Sequence, residues 1–427
     1  MKTLIFLFFI SITIISEINS QVFASWSERS SGVTADLNGS SFASPTIIWV
    51  CGNGGTVLRS TSYGENWVSS NSGGIPPSLD LSTIAGINQT TALVAGSNGT
   101  AGYVYKTTNS GANWSLVFTQ PGGTINSIWM NGSNNGVMSG NPVGGRWSLW
   151  KTTNGGSTWD SSGIYLPQIS NETGFRNSMV YDSQGKVYLG TNSYRIYYSE
   201  NLTGWIPKLV LGVDYTNAIM FLGSKGYIGN STGVYTTSDN GSNWASLAAL
   251  PGSGAVTGIS MMNPGTWNPV WVARASNSIY FSLYGGSSWQ TNYTAPSGTF
   301  RHMSGFYNSP QSLVAVRTGG GISFANILTS GVNQVSANIP TTFTLYQNYP
   351  NPFNPVTKIR FDISRQIDVE LTIYDAGGKA VSTIVDNILA PGEYEADFSA
   401  GDLSSGIYFI KLKAGRFVMT KKLILLK

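Results

Sequence analysis

The sequence predicts an all-β chain, a seven-bladed β-propeller followed by a small immunoglobulin-like β-sandwich, and three observations predict it. Of 427 residues 51 are glycine, 12% are aromatic and only 10% are charged, the texture of short apolar strands joined by tight turns rather than of amphipathic helices. A segment ending in tryptophan recurs at spacings of 47, 45, 46, 39 and 45 residues between Trp67 and Trp289, about the length of one four-stranded blade. Past residue 340 that recurrence stops, and alternating strands separated by Gly- and Pro-bearing turns take over. A chain of this length is expected to divide into two folded units.

The first residues, MKTLIFLFFISITIISEINSQVFA, place Lys2 before an apolar run from Leu4 to Ile15 and then small residues. This is the layout of an export signal at 1–20, with cleavage after Ser20 or as late as Ala24. No later stretch approaches the roughly 18 apolar residues of a membrane span. The single cysteine, Cys51, sits in the apolar run IIWVCG and reads as an inert core thiol. A formal charge of +4 without a Lys/Arg run argues against a nucleic-acid partner.

Within the repeat, RSTSYGENW, KTTNSGANW, KTTNGGSTW, YSENLTGW, TTSDNGSNW and FSLYGGSSW end at Trp67, Trp114, Trp159, Trp205, Trp244 and Trp289. Each reads as a strand, a tight turn and a strand opening with Trp. The turn calls for positive φ at Gly64, Gly111, Gly156, Gly241 and Gly286. Asn109, Asn154 and Asp239, two residues earlier, suit side-chain bonding to the turn backbone. The pattern resembles the Asp-box, or BNR, repeat of sialidase-like propellers, and also the repeats of the photosystem II assembly factor family and of xyloglucan-cleaving hydrolases. That resemblance implies structural hairpins on the face away from an active site. The segment from His302 to Ile327 supplies three strands, and the segment around Trp26 supplies one. An N-terminal strand that completes the last blade gives a closed ring of seven over residues 25–330, with six or eight blades as alternatives.

After a linker at 331–342, residues 343–427 begin with Tyr349, Pro350, Asn351, Pro352, Phe353, Asn354 and Pro355, too rich in proline for a central strand. Strands TKIRFDI, VELTIYD, EYEADFS, GIYFIKLKA and FVMTKKLILL follow. NYPNPFNP, IYDAGGKAV, LAPGEYEADF, LSSGIYFIKL with Gly406 and Tyr408, and the terminal KKLILLK closely resemble the type A sorting domain of type IX secretion substrates. The resemblance implies a Bacteroidota-type source, passage through the periplasm and across the outer membrane, and handling by the type IX machinery. It further implies removal by a sortase-like peptidase, followed by release or attachment to lipopolysaccharide.

For chemistry, one His and one Cys cannot supply a zinc motif, so no metal and no cofactor is expected. His302 has no GxSxG elbow beside it, and GNGG at 52–55 lacks a following Lys and reads as a turn. Arg146, Arg195, Arg274 and Arg317 fall between second and third strands, and Arg176 and Arg301 just before first strands. These positions share one face of a propeller, where guanidinium groups suit a carboxylated or sulfated ligand. Asp80, Glu172 and Asp214 fall on the same face and are the candidate carboxylates of a glycoside hydrolase, which needs two of them flanking a glycosidic bond. The leading expectation is a secreted or cell-surface, non-catalytic module that binds an extracellular glycan or protein. A sialidase-like or xyloglucanase-like hydrolase and an assembly-factor-like propeller are the alternatives.

Overall fold

The computed structural model describes residues 22–182, 184–210, 212–262, 268–307, 311–329, 332–336, 340–365, 367–389, 391–400 and 403–427. The export signal expected at 1–20 lies outside them. The chain divides into compact units, one spanning Ala24–Ile327 and the other containing Leu328–Lys427.

Among the described residues the first unit holds seven antiparallel sheets. Their first strands are Leu37–Phe42, Asp80–Gly86, Ile125–Asn131, Gly174–Tyr181, Ala218–Leu222, Val256–Met261 and Phe300–Phe306. Each neighbours the next around an axis, and Phe300–Phe306 returns to lie beside Leu37–Phe42. The sheets are therefore blades 1 to 7 of a closed propeller. In blade 7 the outermost strand is the N-terminal one, Val22–Arg29, paired with Ile322–Thr329, so the ring closes by joining the two ends of the domain.

Large aromatic side chains fill the spaces between blades. Trp49 of blade 1 meets Trp114 of blade 2 edge-on at 6.2 Å, and its indole N–H donates to Asn88 O. Trp147 meets Tyr197 between blades 3 and 4, and Tyr188 stacks on Phe221 between blades 4 and 5. Such residues bury the most apolar area per side chain, which suits a ring whose cohesion resides in its blade-to-blade contacts.

The tryptophan hairpins are one device repeated. In blade 2, Thr107 Oγ1 accepts the Gly111 N–H, Asn109 Oδ1 accepts the Asn113 N–H, and the Thr107 hydroxyl donates to Asn109. Thr152, Asn154 and Gly156 repeat this in blade 3, and Thr237, Asp239 and Gly241 in blade 5. The Asn243 backbone and amide N–H groups hold the Asp239 carboxyl down to about 2. Gly64, Gly111, Gly156, Gly241 and Gly286 all have positive φ. The residue before each is also left-handed, as at Tyr63, Ser110 and Asn240, and in blade 4 Leu202 takes the glycine's place at φ 66°. Indole N–H groups then tie the hairpins down: Trp67, Trp205 and Trp244 donate to carbonyls within their own turns, and Trp114 and Trp289 to Ser70 O and Ala248 O.

Blade 3 departs from the four-strand expectation. Its sheet has three strands, and where a fourth would run there are isolated bridges at Asp160 and Pro167. Gly163 at φ 75° turns the chain between them, and Ile164 and Leu166 insert into the core beside Trp147. On either side of Pro167 the Leu166 carbonyl accepts the Trp147 N–H and the Gln168 N–H donates to Gly145 O, so this bridge is made without the N–H that proline lacks.

The second unit is a sandwich of two four-stranded sheets. One contains Val332–Ser336, Gly392–Ser399, Val356–Ile363 and Thr344–Leu345; the other contains Ala380–Leu389, Ile367–Asp375, Gly406–Ala414 and Phe417–Leu425. Val332–Ser336 thus belongs to this sandwich rather than to a linker. The proline-rich lead-in is fastened to the last strand. Asn351 accepts the Ile424 N–H and donates to Lys422 O, Phe353 pairs with Ile424 and Leu426 through its backbone, and its buried ring packs against Phe398. Gly406 opens the strand in which the Tyr408 hydroxyl donates to Ser404 O, while Tyr349 is 81% exposed.

Gly111 has φ +84°, and a Cβ there would lie 2.0 Å from Ser70 O, whereas a Cβ at Gly99, φ +88°, would meet nothing within 4 Å. In denaturant unfolding Gly111→Ala is expected to destabilise the propeller by about 2–4 kcal/mol and Gly99→Ala by about 1 kcal/mol. Equal effects would mean that the hairpin is not pressed against blade 1.

Candidate functional site

The axis of the propeller is shaped by a repeated irregularity. The first strands of blades 1, 2, 3, 6 and 7 each shift register at their second or third residue, around Asn38, Ser82, Asn126, Thr257 and Arg301. A bulge inserts one residue and re-aims its side chain. Several of these side chains bond to the next blade: Asn38 Nδ2 donates to Leu81 O and Ser82 Oγ to Ile125 O. Asn217, just before blade 5, donates likewise to Val256 O.

Blade 4 bulges further, between Gly174 and Met179. Asn177, at φ 57°, reaches across the axis and donates to Asn38 O and Ser82 O at 3.2 and 3.3 Å. Two cavities lie along the channel. One, of about 410 Å³, is lined by Asn38, Asn126, Phe175, Arg176, Asn217 and Arg301 together with Gly174 and Thr257. These residues stand at the starts of first strands, so this is the mouth on the face of the blade-connecting loops. The other, of about 510 Å³, includes Phe42, Met130, Leu222 and Phe306 at the far ends of those strands.

The six arginines expected on this face divide sharply. Arg176 and Arg301 line the mouth together. Arg176 is exposed and makes no hydrogen bond or ion pair among the described residues. Arg301, 44% exposed, pairs with Asp36 at 3.3 Å. Three others are turned inward, a correction to the expectation that they face a ligand. Arg274 is 3% exposed and donates to Gly254 O, Leu250 O, Pro251 O and Ser231 O, stapling two loops. Arg317, equally buried, binds Ser297 O, Ser323 and Glu28, and so fixes the closing strand. Burial alone would raise the Glu28 carboxyl; hydrogen bonds from Arg317, Ser323 and Tyr293 outweigh it and hold it low. Arg195 faces Glu172 at 2.9 Å and Tyr194 at 3.1 Å. Arg146 is half-buried at the start of its strand, outside the mouth.

The carboxylates do not converge on either cavity. Glu172 is 2% exposed, paired with Arg195 and accepting the Tyr197 hydroxyl at 2.6 Å. Burial and then this carboxylate push the Tyr197 phenol well up. Asp80 accepts the Gly54 N–H and thereby caps the GNGG turn, and Asp214 accepts Tyr215 N–H and Ser231 O–H. Asp80 opens blade 2, Glu172 precedes blade 4 and Asp214 precedes blade 5.

The mouth was legible only in part, because the tryptophan hairpin drew attention to the outer edge of each blade. Aligning instead on the first strands, Leu37-Asn38-Gly39, Leu81-Ser82-Thr83, Ile125-Asn126-Ser127, Val256-Thr257-Gly258 and Phe300-Arg301-His302, puts a polar residue at the bulge in every case. That register carries the signal for the site.

Cys51 is a core group, whereas His302 is half-buried and lines the second cavity. Burial pushes the Cys51 thiol up, and burial lowers His302 to about 4. The Ser40 N–H donates to His302 Nδ1 at 3.2 Å and the Ser40 hydroxyl lies 3.0 Å away, so the neutral ring carries its proton on Nε2. The unfolded chain protonates this histidine below its ordinary 6.5, and the folded chain only near 4. Its contribution is complete above pH 6.5 and lost as pH falls toward 4, up to about 3 kcal/mol and less where channel water reaches the ring. His302 is the one histidine in the sequence, so the effect is separable. The unfolding free energy is expected to fall by about 1–2 kcal/mol between pH 7 and pH 5, and the fall should disappear in His302→Asn; an unchanged slope in that variant would contradict the assignment.

Comparison with known proteins adds three findings. Residues 347–426 match the family model of the secretion system C-terminal sorting domain. A structure of YCF48 bound to D1 peptide is similar at 17% identity and a TM-score of 0.57, covering 70% of this chain and 96% of its own. YCF48 from Cyanidioschyzon merolae is similar at 18% and 0.56, with coverages of 71% and 99%, and the WD40 β-propeller domain of Doa1 at 10% and 0.53, with 71% and 97%. These identities establish shared fold alone. A comparison with curated protein sequences finds no match. Residues 347–426 are a secretion system C-terminal sorting domain, which directs export by the type IX route to the cell surface or extracellular space, and the unit before it is a β-propeller.

Proposed function

We propose that the exported propeller is a non-catalytic binding module whose mouth takes an anionic group of an extracellular glycan or protein. One observation carries this reading: the exposed guanidinium of Arg176, without a partner among the described residues, shares a cavity of about 410 Å³ with Arg301. Guanidinium groups present a planar fork that matches carboxylate and sulfate oxygens. Phe175, tilted against Tyr215 at 5.1 Å, adds an apolar wall for the carbon skeleton that carries the anion. The YCF48 structure with D1 peptide supports including a peptide carboxylate among the ligands, since a related fold holds a peptide.

The hydrolase reading has less support, because Glu172 is committed to Arg195 and Tyr197 and no carboxylate lines the mouth among the described residues. The mature chain, applied to an array of neutral, carboxylated and sulfated glycans and acidic peptides, is expected to retain acidic members. Arg176→Ala combined with Arg301→Ala should weaken that binding about 10- to 100-fold and flatten its dependence on salt. Retention unaffected by the double substitution would sink the proposal, and hydrolysis products would favour the enzyme instead.

A further inference from the structure

The far cavity differs in chemistry from the mouth. It has a volume of about 510 Å³, and among the described residues no Asp, Glu, Lys or Arg lines it. Its walls combine Met130, Met179, Met220 and Met303 with Phe42, Trp129, Phe306 and Tyr307. Phe42 and Phe306 lie 6.0 Å apart with their rings tilted at 44°. Trp129 is 37% exposed.

Thioethers are adaptable and make favourable contacts with aromatic rings. An apolar pocket of this size with a few fixed polar groups is what small-molecule sites usually present. Asn177 crosses the axis to the Asn38 and Ser82 carbonyls and also lines this cavity, marking its deep end. The polar group of most consequence is His302. Its Nδ1 is taken up by Ser40, which leaves the Nε2–H as a donor on a ring that lines the cavity. A charged ligand would lose its hydration here with no counter-charge, whereas a neutral one would not.

We propose that this cavity is a second binding site, for a neutral, flat aromatic molecule bearing one hydrogen-bond acceptor directed at His302 Nε2. The aromatic body lies among the methionines and the Phe42–Phe306 pair, and Trp129 closes over it at the rim. The site is separate from the arginine mouth and takes the opposite class of ligand.

The test is fluorescence titration of the mature full chain with prodan, a neutral naphthyl ketone whose emission shifts to the blue in apolar surroundings. One saturable site per chain is expected. His302→Phe, which keeps a ring and removes the donor, should weaken prodan about five- to tenfold. Met220→Trp, which fills the cavity, should abolish the site, and anilinonaphthalene sulfonate, the anionic counterpart, should not compete. The thermal midpoint of each variant identifies misfolding, and Trp129→Ala at the rim, outside the core, gives an independent loss of affinity. Arg176→Ala with Arg301→Ala is expected to bind prodan as the native chain does, so failure at the mouth and failure here are distinguishable. Absence of a saturable site, or a site that persists in folded Met220→Trp and Trp129→Ala chains, would overturn the proposal.

Discussion

The propeller depends on one closure: the pairing of Val22–Arg29 with Ile322–Thr329. Without the N-terminal strand, Ile322–Thr329 would be left as an unpaired edge and the first and seventh blades would be held together only by the packing of their faces. Here the first described strand covers the last. The join is reinforced by groups that no other blade provides in this combination. Glu28 accepts Arg317, Ser323 and Tyr293, and Trp26 stacks on Tyr293 at 5.5 Å and donates to Asn292. Arg317 in turn donates to Ser297 O. Glu28 is itself exposed, and such a pair adds little net stability, but removing Glu28 would strand the buried Arg317 guanidinium, so the pair specifies where the N-terminal strand docks.

Closure has a consequence at the axis. It brings Phe300–Phe306 beside Leu37–Phe42, and so places the blade 7 bulge, with Arg301, in the same circle as the blade 4 bulge with Arg176. In blades 1 and 2 the bulge side chain spends its donor on a carbonyl of the following blade. Arginine at the blade 7 bulge reaches Asp36, just before blade 1, instead, and Arg176 has no such partner among the described residues. A structural belt therefore becomes a charged mouth at two of its positions. Asn177, one residue further on, spans the axis and marks the boundary between a cationic end and an uncharged apolar end.

The sequence made the outer edge of each blade readable because the hairpin constrains it twice over: left-handed backbone demands glycine, and the Thr and Asn side chains satisfy the turn. Leu202 shows the limit of that reading, since burial in the core between blades 3 and 4 holds a leucine where the other hairpins have glycine. The arginines failed for a different reason. Position in a loop does not say which way a guanidinium turns, and the loop before blade 6, with Gly252 and Gly254 at positive φ, offers the carbonyls of Leu250, Pro251 and Gly254 to Arg274. In the sandwich, Ala380–Leu389 carries a weak strand signal because Asp386 and Asn387 interrupt its alternation, and its pairing with Ile367–Asp375 shifts register twice. The proline-rich lead-in was readable, as Phe353 and Asn351 fasten it to Phe417–Leu425.

The closure is tested most directly by hydrogen exchange on a chain of residues 22–427 and on one of residues 30–427. The account predicts that without this strand the amides of Ile322–Thr329 lose protection first, those of Ser312–Arg317 and Phe300–Phe306 follow, and the thermal midpoint of the propeller falls. Unchanged protection in blade 7 and an unchanged midpoint would contradict it, and would mean that the ring holds together without joining its ends.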